Sequence, residues 1–120
     1  MNFLVTTNSM ENNQLYTKAT REIAEKKASL VSDSIEAWSS FRKTVFKEGA
    51  LPEKTKQLIA VAVAHVTQCP YCIRDHTTQA VKKGANKEEI MEAICVAAEM
   101  HACAAFAHTP DVIDEMENFK

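Results

Sequence analysis

The 120-residue sequence is poor in the residues that make turn-rich or low-complexity chains, since it has only two glycines and three prolines. This scarcity argues against β-sandwiches and β-barrels, which need many tight turns. The charge is nearly balanced, with 14 Lys and Arg against 16 Asp and Glu. A net charge of −2 provides no basic surface for nucleic acid and no polybasic segment for a membrane.

Long hydrophobic runs are also missing from the sequence. Residues 1–13 contain no Lys or Arg and no apolar run of signal-peptide length. The longest candidate for a membrane span, residues 58–66, is far too short. We therefore expect a cytoplasmic protein that has no membrane or nucleic-acid partner.

The composition is that of one ordinary domain. Hydrophobic residues make up 46% of the chain and charged residues 25%, which is enough to form a core without disulfide bonds. We predict a single domain over residues 1–120, in which residues 1–13 are a frayed lead-in. No alternation of polar and apolar residues indicates a strand. The expected fold is an all-α bundle of five or six helices.

Hydrophobic spacing and capping residues predict the helix boundaries. The first predicted helix covers residues 15–30, and the second is capped by Ser32 or Asp33 and ends at Gly49. The third begins at Leu51-Pro52 and ends before Cys69-Pro70, and two more cover residues 70–83 and 87–108. Residues 111–119 would be the sixth, a short tail helix. Pro70 suits the first position of its helix, Gly84 the residue after its end, and Asn86 with Glu89 a capping box. We expect the helix that begins at Leu51-Pro52 to be central and buried. We expect Trp38, Phe41 and Phe46 to belong to the core.

The clearest chemical signal is the sequence Cys69-Pro70-Tyr71-Cys72, followed by His76. If Pro70 opens a helix, Cys69 is its N-cap and Cys72 lies within one turn, close enough for a disulfide. A helix N-terminus stabilises a thiolate, and His76 lies four residues after Cys72 on the same helical face. Two thiols and a base on one face suit a thiol peroxidase or a dithiol–disulfide exchanger.

A zinc site is the main alternative for a Cys-x-x-Cys sequence. Structural zinc usually has four ligands, so a second pair should be present. Cys95 and Cys103 lie eight residues apart in an Ala-rich stretch, which is poor geometry for such a pair. We therefore expect no metal and no organic cofactor.

Residues 51–108 resemble the alkyl hydroperoxidase D-like branch of the carboxymuconolactone decarboxylase family. From Leu51 the matching segment reads LPEKTKQLIAVAVAHVTQCPYCIRDHTTQAVKKGANKEEIMEAICVAAEM. The family pattern has a Glu twelve residues before a Cys-x-x-Cys and a His four residues after it, and Cys69, Cys72 and His76 match. Tyr71 is a common residue at its position.

The resemblance implies an antioxidant enzyme that reduces a peroxide substrate with a redox-active cysteine pair. It implies reduction of that pair by an external dithiol and assembly into a homotrimer or homohexamer. It favours Cys72 as the attacking thiol and Cys69 as the resolving thiol, whereas the helix N-terminus favours Cys69 as the thiolate. The choice between the two cysteines stays open at this point.

The sequence departs from the family pattern at Gln57, which stands where the family has a Glu that completes a proton relay. An amide can orient a histidine by hydrogen bonding but cannot accept its proton. Further candidates for the relay are Glu53, Glu99, Tyr71 and His65. The alternatives to a peroxidase are a dithiol–disulfide reductase and a non-enzymatic redox sensor or binding oligomer. A decarboxylase fits less well, because that branch of the family acts on a lactone without a Cys-x-x-Cys pair.

Overall fold

The computed structural model describes residue 18 and residues 20–120. It contains six helices in the order α1 (Arg21–Leu30), α2 (Ser32–Phe46), α3 (Glu53–Thr67), α4 (Pro70–Lys82), α5 (Lys87–Ala107) and α6 (Thr109–Asn118). No strand occurs among these residues, which confirms the all-α prediction. The predicted lead-in and the predicted helix start at residue 15 lie outside the described residues.

The chain divides into two compact units, Met1–Ser39 and Ser40–Lys120. In the first unit, Thr20 caps the start of α1, and its Oγ1 accepts the Ile23 N–H at 3.2 Å. The Lys27 ammonium lies 5.6 Å from the centre of the Trp38 ring. Trp38 is nevertheless 54% exposed, so its predicted place in the core is wrong.

The core of the second unit lies where α3 packs against α4 and α5. Val61 on α3, Ala80 on α4 and Ala85 after α4 are buried together. The partly buried side chains that pack against them are Leu58, Ile90 and Ile94. Two of the three buried residues are alanines, whose small side chains permit close packing of helix backbones.

The prediction that α3 is central and buried holds for one face only. Gln57, Val61 and Ala64 face the core, whereas Ile59 and Val63 are about half exposed. Phe41 on α2 is also exposed, which again contradicts the predicted core. Periodicity identified these side chains as apolar, but the described part of the chain leaves them exposed.

The helix ends around α4 and α5 agree with the sequence prediction. Pro70 is the first residue of α4 and Cys69 is its N-cap. Gly84 follows α4 with a φ of 92°, in the left-handed region that favours glycine. Asn86 accepts the Glu89 N–H at 2.7 Å, and the Glu89 carboxylate accepts the Asn86 N–H at 3.2 Å. The reciprocal pair is the predicted capping box.

The two remaining prolines lie elsewhere than expected. Pro52 is the N-cap of α3 rather than its first helical residue, and Pro110 lies in the first turn of α6 instead of in a break before it. A single residue, His108, therefore joins α5 to α6.

Residues Lys87–Asn118 form a helical stretch that is long and apolar enough to cross a membrane, judged by length and composition alone. Such a stretch was not predicted from the sequence. The core helices of soluble proteins pass the same test. Many apolar side chains of this stretch are exposed, including Val96 and Phe106, the latter to 75%.

Candidate active site

Cys69 and Cys72 lie together at the start of α4. Their sulfur atoms are at disulfide distance and their Cα atoms are 5.3 Å apart, within the range of ordinary disulfides. As the N-cap, Cys69 Sγ accepts the Cys72 N–H at 3.3 Å. Pro70 sets this local geometry because its fixed φ suits the first helical position. The pair can form a disulfide, and the helix N-terminus favours a thiolate when the disulfide opens.

His76 is held in place by Gln57, which reaches it from α3. The His76 Nδ1 atom lies 2.8 Å from Gln57 Oε1, and the glutamine is only 7% exposed. An amide oxygen can only accept a hydrogen bond, so Nδ1 carries the hydrogen and donates it. The Nε2 atom then keeps its lone pair, and His76 can act as a base through Nε2.

The surroundings of His76 favour its neutral form. Burial lowers the pKa of His76 below its ordinary value of 6.5; the nearby Asp75 charge raises it and the Arg42 charge lowers it. The Phe46 ring stacks on the imidazole, with the ring centres 5.1 Å apart and the planes inclined by 24°. His76 is therefore available as an unprotonated base at neutral pH.

The other relay candidates have different surroundings. The Glu53 carboxylate pairs with Lys83 Nζ at 2.6 Å, and Glu99 is exposed on α5. The His65 Nδ1 atom lies 2.7 Å from the Val61 carbonyl oxygen one turn earlier in α3, which satisfies that nitrogen locally. Tyr71 lies in the first turn of α4, between the two cysteines, and is 39% exposed. The structure thus brings together Cys69, Cys72, His76 and Gln57.

Three residues beside His76 were not predicted from the sequence. Phe46 was expected in the core but stacks on the imidazole, and Arg42 forms an ion pair with Asp75. Asp75 directly precedes His76 in the sequence, and only this position could have indicated one of the three residues in advance. Nothing in the sequence indicated that α2 lies beside α4 at this point.

The described residues contain no group of three or more His, Cys, Asp or Glu side chains that could hold a metal ion. Cys95 and Cys103, the second pair considered for zinc, are separate exposed thiols on α5.

The chain is similar to a known protein family and to individual proteins. The model of the carboxymuconolactone decarboxylase family matches residues 32–115. An uncharacterized protein of the cox locus of Paracoccus denitrificans is 56% identical over 85 residues, which are 68% of this chain and 77% of that protein.

Solved structures show the same relationship. A protein from Methanobacterium thermoautotrophicum has a TM-score of 0.67 and 32% identity, over 70% of this chain and 94% of that one. A carboxymuconolactone decarboxylase family protein from Legionella pneumophila has a TM-score of 0.63 and 37% identity, over 66% and 70%. A family protein from Thermotoga maritima, described with a suggested role in the antioxidative response, has a TM-score of 0.52 and 27% identity, over 71% and 95%. The chain belongs to the carboxymuconolactone decarboxylase family.

Proposed function

We propose that the protein is a thiol-dependent peroxidase of the alkyl hydroperoxidase D type. The observation that carries this proposal is the Cys69–Cys72 pair at disulfide distance, with His76 one turn further along α4. Membership of the family supports it, as does the suggested antioxidative role of the Thermotoga maritima relative. The substrate class is a hydroperoxide, and the second substrate is an external dithiol.

The reaction begins with proton transfer from a thiol to His76 Nε2. The thiolate attacks the outer oxygen of the hydroperoxide, the O–O bond breaks, and the leaving alkoxide takes the proton from His76 to form an alcohol. The sulfur is then a sulfenic acid. The second thiol attacks that sulfur and water leaves, which yields the disulfide. An external dithiol reduces the disulfide by exchange and is itself oxidised to a disulfide.

The geometry suits a division of labour between the two cysteines. Cys72 lies four residues before His76, on the same face of α4, so it is our choice for the attacking thiol. Cys69 is the resolving thiol. Its sulfur accepts a hydrogen bond from the Cys72 N–H, and this bond stabilises the Cys69 thiolate when it leaves during reduction of the disulfide. Neither step requires a metal or an organic cofactor.

We extend the proposal to a cytoplasmic homotrimer or homohexamer. Exposed apolar side chains on α2, α3 and α5, among them Phe41, Val63 and Phe106, support association with further copies of the chain. Burying such side chains between subunits would remove apolar area from water, which favours association.

A second candidate is a dithiol–disulfide reductase or redox sensor, and the observation that favours it is Gln57. The buried amide holds His76 but cannot take its proton, and Glu53 is paired with Lys83. Thiol–disulfide exchange needs only a thiolate and a base, so it does not require a carboxylate in the relay.

Peroxide consumption with dithiothreitol as the electron donor separates these functions. We expect steady turnover in the native chain, its loss in Cys69→Ser and Cys72→Ser, and its retention in the control variants Cys95→Ser and Cys103→Ser. A sulfenic acid trapped in only one of the two inactive variants identifies the attacking thiol. Reduction of a test disulfide without any peroxide turnover would contradict the peroxidase and support the second candidate.

A further inference from the structure

The C-terminal half of α2 forms one side of the His76 environment. The Phe46 ring lies nearly parallel to the His76 imidazole, with the two ring centres 5.1 Å apart. Gln57 on α3 accepts the hydrogen of His76 Nδ1, and this N–H lies in the plane of the imidazole. A stacked ring restricts tilting of the imidazole, and an in-plane hydrogen bond restricts its rotation. Together the two contacts hold the His76 imidazole in one orientation.

Arg42, one turn before Phe46, reaches the same region through Asp75. Its guanidinium pairs with the Asp75 carboxylate, which directly precedes His76 on α4. The charged groups that act on the imidazole are therefore Asp75 from α4 and Arg42 from α2. Cys72 lies on the same helix as His76 and titrates only when the disulfide is open, and α3 presents the neutral Gln57. The guanidinium balances a carboxylate that would otherwise favour a protonated imidazole.

Lys56 on α3 donates hydrogen bonds to the C-terminal end of α2, beside Phe46 and His76. Its ammonium donates to the Val45 carbonyl at 2.7 Å and to the Lys47 carbonyl at 2.6 Å. These carbonyls lie at the end of the helix, where a cation is favourable. Because Lys56 precedes Gln57, the same turn of α3 anchors both α2 and the imidazole.

We infer that Arg42 and Phe46 are positioning residues for His76. Phe46 acts by stacking, and Arg42 acts by holding and neutralising Asp75. The catalytic part of this inference rests on the proposed function, whereas its effect on the imidazole does not. The two parts can therefore be tested separately.

The test follows the His76 imidazole by NMR titration and the peroxide turnover as a function of pH. The perturbing variants are Phe46→Leu, which removes the ring, and Arg42→Gln, which removes the charge. Phe46→Tyr and Arg42→Lys are the matched conservative variants. Phe119→Leu and Arg21→Gln make the same changes at exposed positions outside the site.

We expect the titration of His76 to move upward in Phe46→Leu, because water then reaches the ring, and in Arg42→Gln, because Asp75 is left uncompensated. The acidic limb of the turnover profile should move upward with it. Turnover at neutral pH should fall on the order of tenfold, because the imidazole is no longer held in one orientation and this misplacement outweighs any gain in its basicity. Tyrosine at position 46 and lysine at position 42 should restore both readouts, and the two exposed controls should change neither.

An unchanged His76 titration and an unchanged pH profile in both perturbing variants would overturn the inference. If Phe46→Leu does not fold, Arg42→Gln and Arg42→Lys decide by the same criteria. If the native chain shows no peroxide turnover, the proposed function fails, and the NMR titration alone still decides whether Arg42 and Phe46 control the imidazole.

Discussion

Replacing Gln57 with Glu tests how the site handles its proton. Gln57 is buried, with its amide oxygen 2.8 Å from His76 Nδ1, so a glutamate of the same length places a carboxylate oxygen against the same nitrogen. The carboxylate accepts the same hydrogen bond and, unlike the amide, stabilises a protonated imidazole. His76 then becomes a stronger base toward the thiol and a better store for the proton that the leaving alkoxide needs.

The size of the gain follows from the geometry. Opposite charges about 4 Å apart attract by about 4 kcal/mol at an effective dielectric constant near 20. Burying the new carboxylate cancels part of this attraction. General acid–base groups contribute about a hundred- to ten-thousand-fold to a rate. Because the carboxylate restores only part of the relay, we expect Gln57→Glu to turn over peroxide about tenfold faster than the native chain.

The assay compares peroxide turnover of the native chain with that of Gln57→Glu and of Gln57→Met. The methionine is similar in length but cannot bond to Nδ1, so we expect it to slow turnover by releasing the ring. Unchanged or lower turnover in Gln57→Glu would refute the reasoning. A loss of turnover in Glu53→Gln or Glu99→Gln would then identify the acid that serves in its place.

Three further predictions concern stability and assembly. Lys56→Met should lower the free energy of unfolding in urea by about 1–2 kcal/mol, because it removes a charged donor from the end of α2. Burial lowers the pKa of His76, so as the pH falls the unfolded chain takes up the proton before the folded chain does. The contribution of His76 to stability should therefore be fully present above pH 6.5 and should decline below it. Urea midpoints measured against pH should show less of this decline in His76→Phe. Light scattering should give the mass of a trimer or hexamer, and the 13.4 kDa of one chain would contradict this.

The parts of the fold that depend on local sequence could be predicted. Pro70 at the start of α4, Gly84 after its end and the capping pair Asn86 and Glu89 are all as expected. Each depends on backbone preferences within a few residues, which a single sequence expresses directly. The same holds for Cys69 as the N-cap.

The parts that depend on distant contacts could not be predicted. Arg42 and Asp75 are 33 residues apart, and no local pattern indicates that they pair. The pairing of Glu53 with Lys83 likewise depends on how α3 and α4 pack. Phe41 shows a second limit, because helical periodicity identifies an apolar face but not what covers it.

The Gln57–His76 contact falls between these cases. The two residues are 19 apart on different helices, so periodicity alone could not join them. The family pattern indicated the contact because its Glu and His occupy these two positions. The structure adds the atoms involved, and from them the tautomer of the histidine follows.

The central claim is that Cys69 and Cys72 form a reversible redox pair, and peptide mass spectrometry tests it most directly. Trypsin should release residues 57–74, which hold both cysteines, and residues 88–120, which hold Cys95 and Cys103 as an internal control. After one equivalent of peroxide, we predict the loss of two hydrogens from peptide 57–74 and its reversal by dithiothreitol. Free thiols that persist in peptide 57–74, or oxidation confined to peptide 88–120, would contradict the account.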